Sequence, residues 1–276
     1  EGIVIEDADG NQFVWIPVGT YTATDFTSEE DPKPTTTKTN NLVRRSWGAK
    51  DVVTEPTEIT ADGGDGAISG SSSSYFYYGE GNENSCTKNG DGTNSIDAFK
   101  SSATENGGFY IGRYEQGENN VCKAGVNAYV RVTRDQAKLQ AEAMYVNNEN
   151  VNVTSQLISS YAWDTALNFI CQNSEQGYLL ATTTNKEYGN IGIGSSGQTL
   201  TGGYPNDKHS NIYDLLGNLW EWTTEYSSYD GGPCVPRGGH YYYSDYFAAY
   251  RNSGSASYSG FSYSFRLQLY IGRSES

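Results

Sequence analysis

The chain has 276 residues and a formal charge of −15, from 18 Lys plus Arg against 33 Asp plus Glu. So acidic a surface repels phosphate backbones and anionic headgroups, which argues against nucleic-acid and membrane-surface partners, and no run of about 18 apolar residues is present to span a bilayer. Aromatics at 13% of the chain, with 23 Tyr and 5 Trp, point to a folded core, and with His209 and His240 as the only histidines a three-histidine metal site cannot be assembled.

This length suits one decorated domain spanning 1–276. The chain opens on a strand-like run with neither a basic nor an apolar leader region, so it reads as an excised or processed part of something longer. Phe13 to Gly19 is a short apolar segment ending in Pro and Gly, expected as a strand inside a sheet that enters a turn. From about 61 to 95 the composition is Gly, Ser, Asn, Asp and Glu around Tyr75, Phe76, Tyr77 and Tyr78, which predicts a long insertion pinned by an aromatic cluster. Phe109 to Glu115 returns to strand character.

Two short, one-sided helices are expected next. Thr133 and Gln136 have capping-box spacing, after which Ala137, Ala141, Met144 and Tyr145 share a face. In the second helix Ile158, Tyr161, Ala162, Thr165, Ala166 and Phe169 recur at steps of three and four, with Thr154 or Ser155 as cap. Residues 180 to 210 read as loop. Cys86, Cys122, Cys171 and Cys234 form no CxxC, which leaves one or two disulfides and buried thiols as open alternatives. Phe265, Leu267, Leu269 and Ile271 alternate with polar residues or Tyr, the period of a strand with one buried face. A helix pair between strand-rich ends predicts an α+β domain whose terminal strands pair.

Four blocks stand in a fixed order: FVWIPVGTY near the start, GFYIGRYE, NIYDLLGNLWEWTTE from Asn211 to Glu225, and PRGG from Pro236 followed by FRLQLY. They resemble the formylglycine-generating (sulfatase-modifying) enzyme family, a branch of the C-type lectin fold, and they bracket nearly the whole chain. The resemblance implies a C-type lectin-like fold with two short helices, antiparallel strands and long loop insertions. Read by themselves, Trp220 and Trp222 point the same way on a strand with Glu221 opposite, and Gly238 and Gly239 permit a tight turn. Calcium is often bound near this motif in the family, which makes Asn218 and Glu221 candidate ligands, while no cofactor is required.

The family's enzymes do not transfer. Its sulfatase-activating members carry a copper-binding cysteine pair after the RGG block, and here that stretch holds no cysteine. The related sulfoxide synthases need three histidines. Residues 240 to 264 instead contain seven Tyr and seven Ser, a composition of the paratope kind, in which Asp245 and Arg251 cancel in charge. The same stretch lacks Lys, Glu, Gln, Met and Trp, the residues unreachable when an Asn codon is varied at its two adenines. It thus resembles the variable region of diversity-generating retroelement proteins. The reading is a non-catalytic variable protein displayed on a phage or bacterial surface, with 237–271 as its binding segment. Its expected ligand contacts are His240, Tyr241, Tyr242, Tyr243 and Asp245, then Tyr246, Asn252, Ser255, Ser257 and Tyr258. The expected partner is a protein or glycan on a cell surface. The alternatives are a fixed-sequence carbohydrate-binding module with calcium near Glu221, and an enzyme using Tyr or Asp near His240.

Overall fold

A computed structural model of the chain describes residues 1–59, 78–80, 95–146, 152–194 and 197–271, with the side chains of 78, 79 and 95 outside the description. In chain order the elements are β1 (Val4–Glu6), β2 (Gln12–Pro17), β3 (Gly19–Thr24), β4 (Thr35–Asn40), β5 (Arg45–Ser46), β6 (Thr57–Glu58), β7 (Tyr78–Glu80), α1 (Ser95–Glu105) and β8 (Gly108–Gly112). They continue with α2 (Arg134–Ala143), β9 (Val153–Leu157), α3 (Ser160–Gln172), the single turn α4 (Leu179–Thr182), β10 (Trp220–Ser227), β11 (Cys234–Arg237), β12 (Tyr263–Phe265) and β13 (Leu267–Ile271). The class is α+β, as the sequence pattern and the lectin-like resemblance imply. Nearly all of the expected insertion at 61–95, with its aromatic cluster, lies outside the described residues.

The apolar run around Phe13 becomes β2, inside a five-stranded antiparallel sheet of order β1-β2-β8-β13-β9. The two chain ends share this sheet without pairing directly, because β8 lies between β2 and β13. A second sheet has β10 at its centre, antiparallel to β11 and β7 and parallel to β12. Since β12 and β13 are separated only by Arg266, the closing strands carry the chain from one sheet into the other.

Four local expectations are revised. Helix α1 was not anticipated, yet Ile96, Phe99 and Ala103 fall on one helical face and are buried, Phe99 packing edge-on against Phe109 at 5.0 Å between centroids. Thr133 caps α2 through the full capping box, as expected. Ser159, not Thr154 or Ser155, caps α3, because residues 153 to 157 are taken up as β9, paired along its length with β13. Nor is α3 one-sided: Ser160 through Cys171 are all buried. The alternating tail also buries both faces, because its strand lies inside the sheet; Arg266 and Gln268 are enclosed, while Ile271 at the end is exposed. Cys234 is disulfide-bonded and Cys122 and Cys171 are buried free thiols, which excludes two bridges.

Candidate binding surface

The surface rests on a buried ionic foundation. On β10 the alternation of a strand turns Trp220 and Trp222 one way and Glu221 and Glu225 the other, but the neighbouring elements cover both sides. Glu221 accepts two hydrogen bonds from Arg266, at 3.0 Å from Nε and 2.7 Å from Nη2. Asp164 of α3 accepts from Arg237 at 2.7 Å and from Arg251 at 2.6 Å, and Arg251 also donates to Glu225 at 2.7 Å. Burial alone would raise the Asp164 carboxyl, but Arg251 and Arg237 hold it well below the usual carboxylate range. Arg251, which balances Asp245 in the charge count of the stretch, is therefore a fully enclosed hub.

The same segment is nailed down on both sides of Arg251. Phe247, Ala248 and Ala249 are buried; the Ala248 carbonyl accepts from the Trp163 indole at 3.0 Å, and the Ala249 amide donates to the Ala181 carbonyl at 2.9 Å. Gly254 lies against Trp222, where an added Cβ would come within 2.6 Å of the ring. Gly239 has φ +77°, and a Cβ there would meet the Tyr246 backbone at 3.1 Å, so the turn into the segment needs glycine.

Between these anchors the chain is irregular and its large side chains rise outward. They enclose an open groove of about 300 Å³ whose floor is Trp220, His240, Tyr246 and Tyr263 and whose walls include Tyr242, Tyr243, Tyr258 and Phe261. The walls are solvent-facing, with 45% of Tyr242, 51% of Tyr243, 47% of Tyr258 and 56% of Phe261 exposed. Tyr243 stands at steep angles to Tyr242 (75°), His240 (79°) and Tyr246 (87°), forming a corner of rings. Tyr246 in turn packs on Trp220 at 4.9 Å. Asn252 and Ser262 complete the lining, and none of these residues carries a formal charge. Burial lowers the His240 pKa to about 4, and among the described residues its Nδ1 has no hydrogen-bond partner.

Of the residues expected at the ligand, the groove brings together His240, Tyr242, Tyr243, Tyr246, Asn252 and Tyr258. Asp245, Ser255 and Ser257 are exposed outside its lining; Asp245 faces Lys50 at 3.5 Å, and the two serine hydroxyls lie 3.1 Å apart. Tyr241 turns inward and packs with Ala128 and Leu219, so it is corrected from contact to scaffold. Phe261 and Ser262 belong to the same Tyr and Ser-rich stretch and were reachable by the same compositional argument. Tyr263 lies in that stretch as well, whereas Trp220, buried beneath the groove, gave no such signal because a floor residue looks like core in the sequence.

Asn218 and Glu221 do not fit calcium. The Asn218 side-chain oxygen already accepts from Asn190 at 2.9 Å and from the Thr199 amide at 3.0 Å, while its amide nitrogen donates to Glu115 at 2.6 Å. Glu221 has both oxygens on Arg266, so neither residue directs a free acceptor at a shared point. Among the described residues no group of three or more His, Cys, Asp or Glu is arranged to hold a metal, and no helix is long and apolar enough to cross a membrane.

No family model and no curated protein matches the chain. Among solved structures it is similar to PvdO from Pseudomonas aeruginosa, at 13% identity over 98% of both chains with a TM-score of 0.49. It is also similar to Treponema denticola variable protein 1, at 12% identity over 98% of both chains with a TM-score of 0.40. A third similarity, to CarF, covers 60% of this chain and 87% of that one at 16% identity, with a TM-score of 0.44.

Proposed function

We propose that the chain is a non-catalytic ligand-binding protein displayed on a phage or bacterial surface, in which 237–271 supplies the binding face and a retroelement diversifies its exposed positions. The observation that carries this reading is the division of one segment into two populations. Exposed Tyr242, Tyr243, Ser244, Asp245, Ser255, Ser257, Tyr258 and Phe261 alternate in short runs with buried Phe247, Ala248, Ala249, Arg251 and Gly254. Such a division lets outward side chains change without touching the ionic foundation or the aromatic core, and the outward set is rich in the rigid, amphipathic residues that binding surfaces use.

The enzyme alternative finds less support. A catalytic histidine needs a partner that orients its ring, whereas His240 Nδ1 has none among the described residues and Asp245 is turned toward Lys50. The carbohydrate alternative loses its calcium argument with Asn218 and Glu221 already engaged.

The test is binding of the labelled chain to bacterial surfaces, compared with a variant carrying Tyr242→Ser, Tyr243→Ser and Tyr258→Ser. Loss of binding at an unchanged unfolding midpoint is expected. Full retention of binding by the triple variant would place the ligand elsewhere.

A further inference from the structure

We infer that the groove takes the guanidinium group of an arginine presented by a protein partner. This rests on the binding-surface reading and adds a ligand chemistry to it.

Three observations converge. The first is the lining: seven phenyl, phenol or indole rings and one imidazole surround about 300 Å³, and no lysine, arginine or carboxylate lies among them. Aromatic faces are negative and attract a cation placed over them, more strongly where water is partly excluded, as on the Trp220, Tyr246 and Tyr263 floor. The second is the body around it. At a net charge of −15 the molecule as a whole favours a positive ligand over an anionic one. Lys50, near the segment, is turned away to the Ser244 carbonyl at 3.2 Å and to Asp245 at 3.5 Å.

The third observation selects among cations. A lysine ammonium is compact and strongly hydrated and needs several acceptors to replace its water, whereas a guanidinium is flat, weakly hydrated and stacks on rings. The groove suits the second. Its rings include the near-parallel pair His240 and Tyr242, 11° apart in plane, and the near-parallel pair His240 and Tyr246, at 24°. Its acceptors carry no charge: the Asn252 amide, the Ser262 hydroxyl and the tyrosine hydroxyls. Tyr, Trp and Arg are also the residues that recur as anchors in protein interfaces, which favours a protein as the bearer of the group.

Calorimetric titration of the whole chain with three blocked tripeptides tests this: Gly-Arg-Gly, Gly-citrulline-Gly, which keeps the shape and removes the charge, and Gly-Lys-Gly, which keeps the charge and changes the hydration. Arginine is expected to bind about tenfold or more tightly than either of the others. Tyr243→Phe should retain that preference, because the ring face remains, while Tyr243→Leu should abolish it; equal urea midpoints confirm that both variants fold. Equal binding of arginine and citrulline would overturn the inference in favour of a neutral groove. Equal binding of arginine and lysine would overturn it in favour of general attraction to an acidic body. If all three peptides fail to bind while the triple Tyr→Ser variant still loses cell-surface binding, the guanidinium assignment falls and the binding surface stands. If the triple variant binds cells normally, both fall.

Discussion

Arg251 shows how far a residue's role can depart from what its neighbours in sequence suggest. It sits among Tyr, Ser, Asn and Gly, yet its guanidinium is enclosed between Asp164 and Glu225 and also donates to the Arg45 carbonyl at 3.1 Å. Breaking a buried ion pair from one side leaves the other charge uncompensated, at about 3–5 kcal/mol. Arg251→Ala should therefore lower urea stability by that order, as should Trp222→Ala through lost burial, whereas Tyr242→Ser and Tyr243→Ser should each stay within about 0.5 kcal/mol. Tyr246, packed on Trp220, should cost more than either.

Two buried groups give opposite pH signatures. The Asp214 carboxyl is raised by burial to about 6 from an ordinary 3.8, so its folded form holds a proton that the unfolded form has lost. Its contribution is fully present below pH 3.8 and disappears as pH rises through 6. His240, lowered by burial from 6.5 to about 4, contributes fully above 6.5 and is lost as pH falls through 4. Unfolding midpoints between pH 4 and pH 6.5 should thus rise with pH more steeply in Asp214→Asn than in the parent, and less steeply in His240→Phe. Parallel profiles in all three proteins would contradict these assignments.

Among the elements, those with complete local signals were legible in the sequence. The Thr133 capping box needs only residues three apart, and it closes as read. The strand around Phe13 and the buried tryptophans of β10 were equally plain. What failed was any feature decided by a distant partner. Ser159 caps α3 while its hydroxyl meets Gln268 at 2.8 Å, and the segment before it becomes a strand only because β13 lies alongside. In the same way Arg266 and Gln268 look outward by period and are enclosed by the sheets' arrangement. Ser159→Ala removes both the cap to Ala162 and the bond to Gln268, and should cost about 1–2 kcal/mol by urea unfolding. At the turn into the binding segment, Gly239→Ala should also destabilise, since its φ of +77° is strained for any side chain.

At the scale of the whole molecule, the place of the candidate site was legible and its sorting into walls and anchors was not, for a physical reason. Composition located the segment, because binding chemistry leaves its mark on residue types. It could not sort wall from anchor, because Tyr241 and Tyr242 are the same residue one position apart and only the fold turns the first inward. The sorting is also what a diversified surface requires, so it makes the locus itself the sharpest test. Sequencing the DNA around the gene should reveal a reverse transcriptase gene and a near-copy of the codons for 240 to 264, differing almost only at adenines. The differences should fall at exposed positions such as Tyr242, Tyr243, Asp245, Ser255, Ser257 and Tyr258, with Asn encoded in the copy, and should spare the buried Phe247, Ala248, Ala249, Arg251 and Gly254. A locus with no copy, or a copy whose differences fall as often on the buried codons as on the exposed ones, would contradict a diversified binding face built on a fixed foundation.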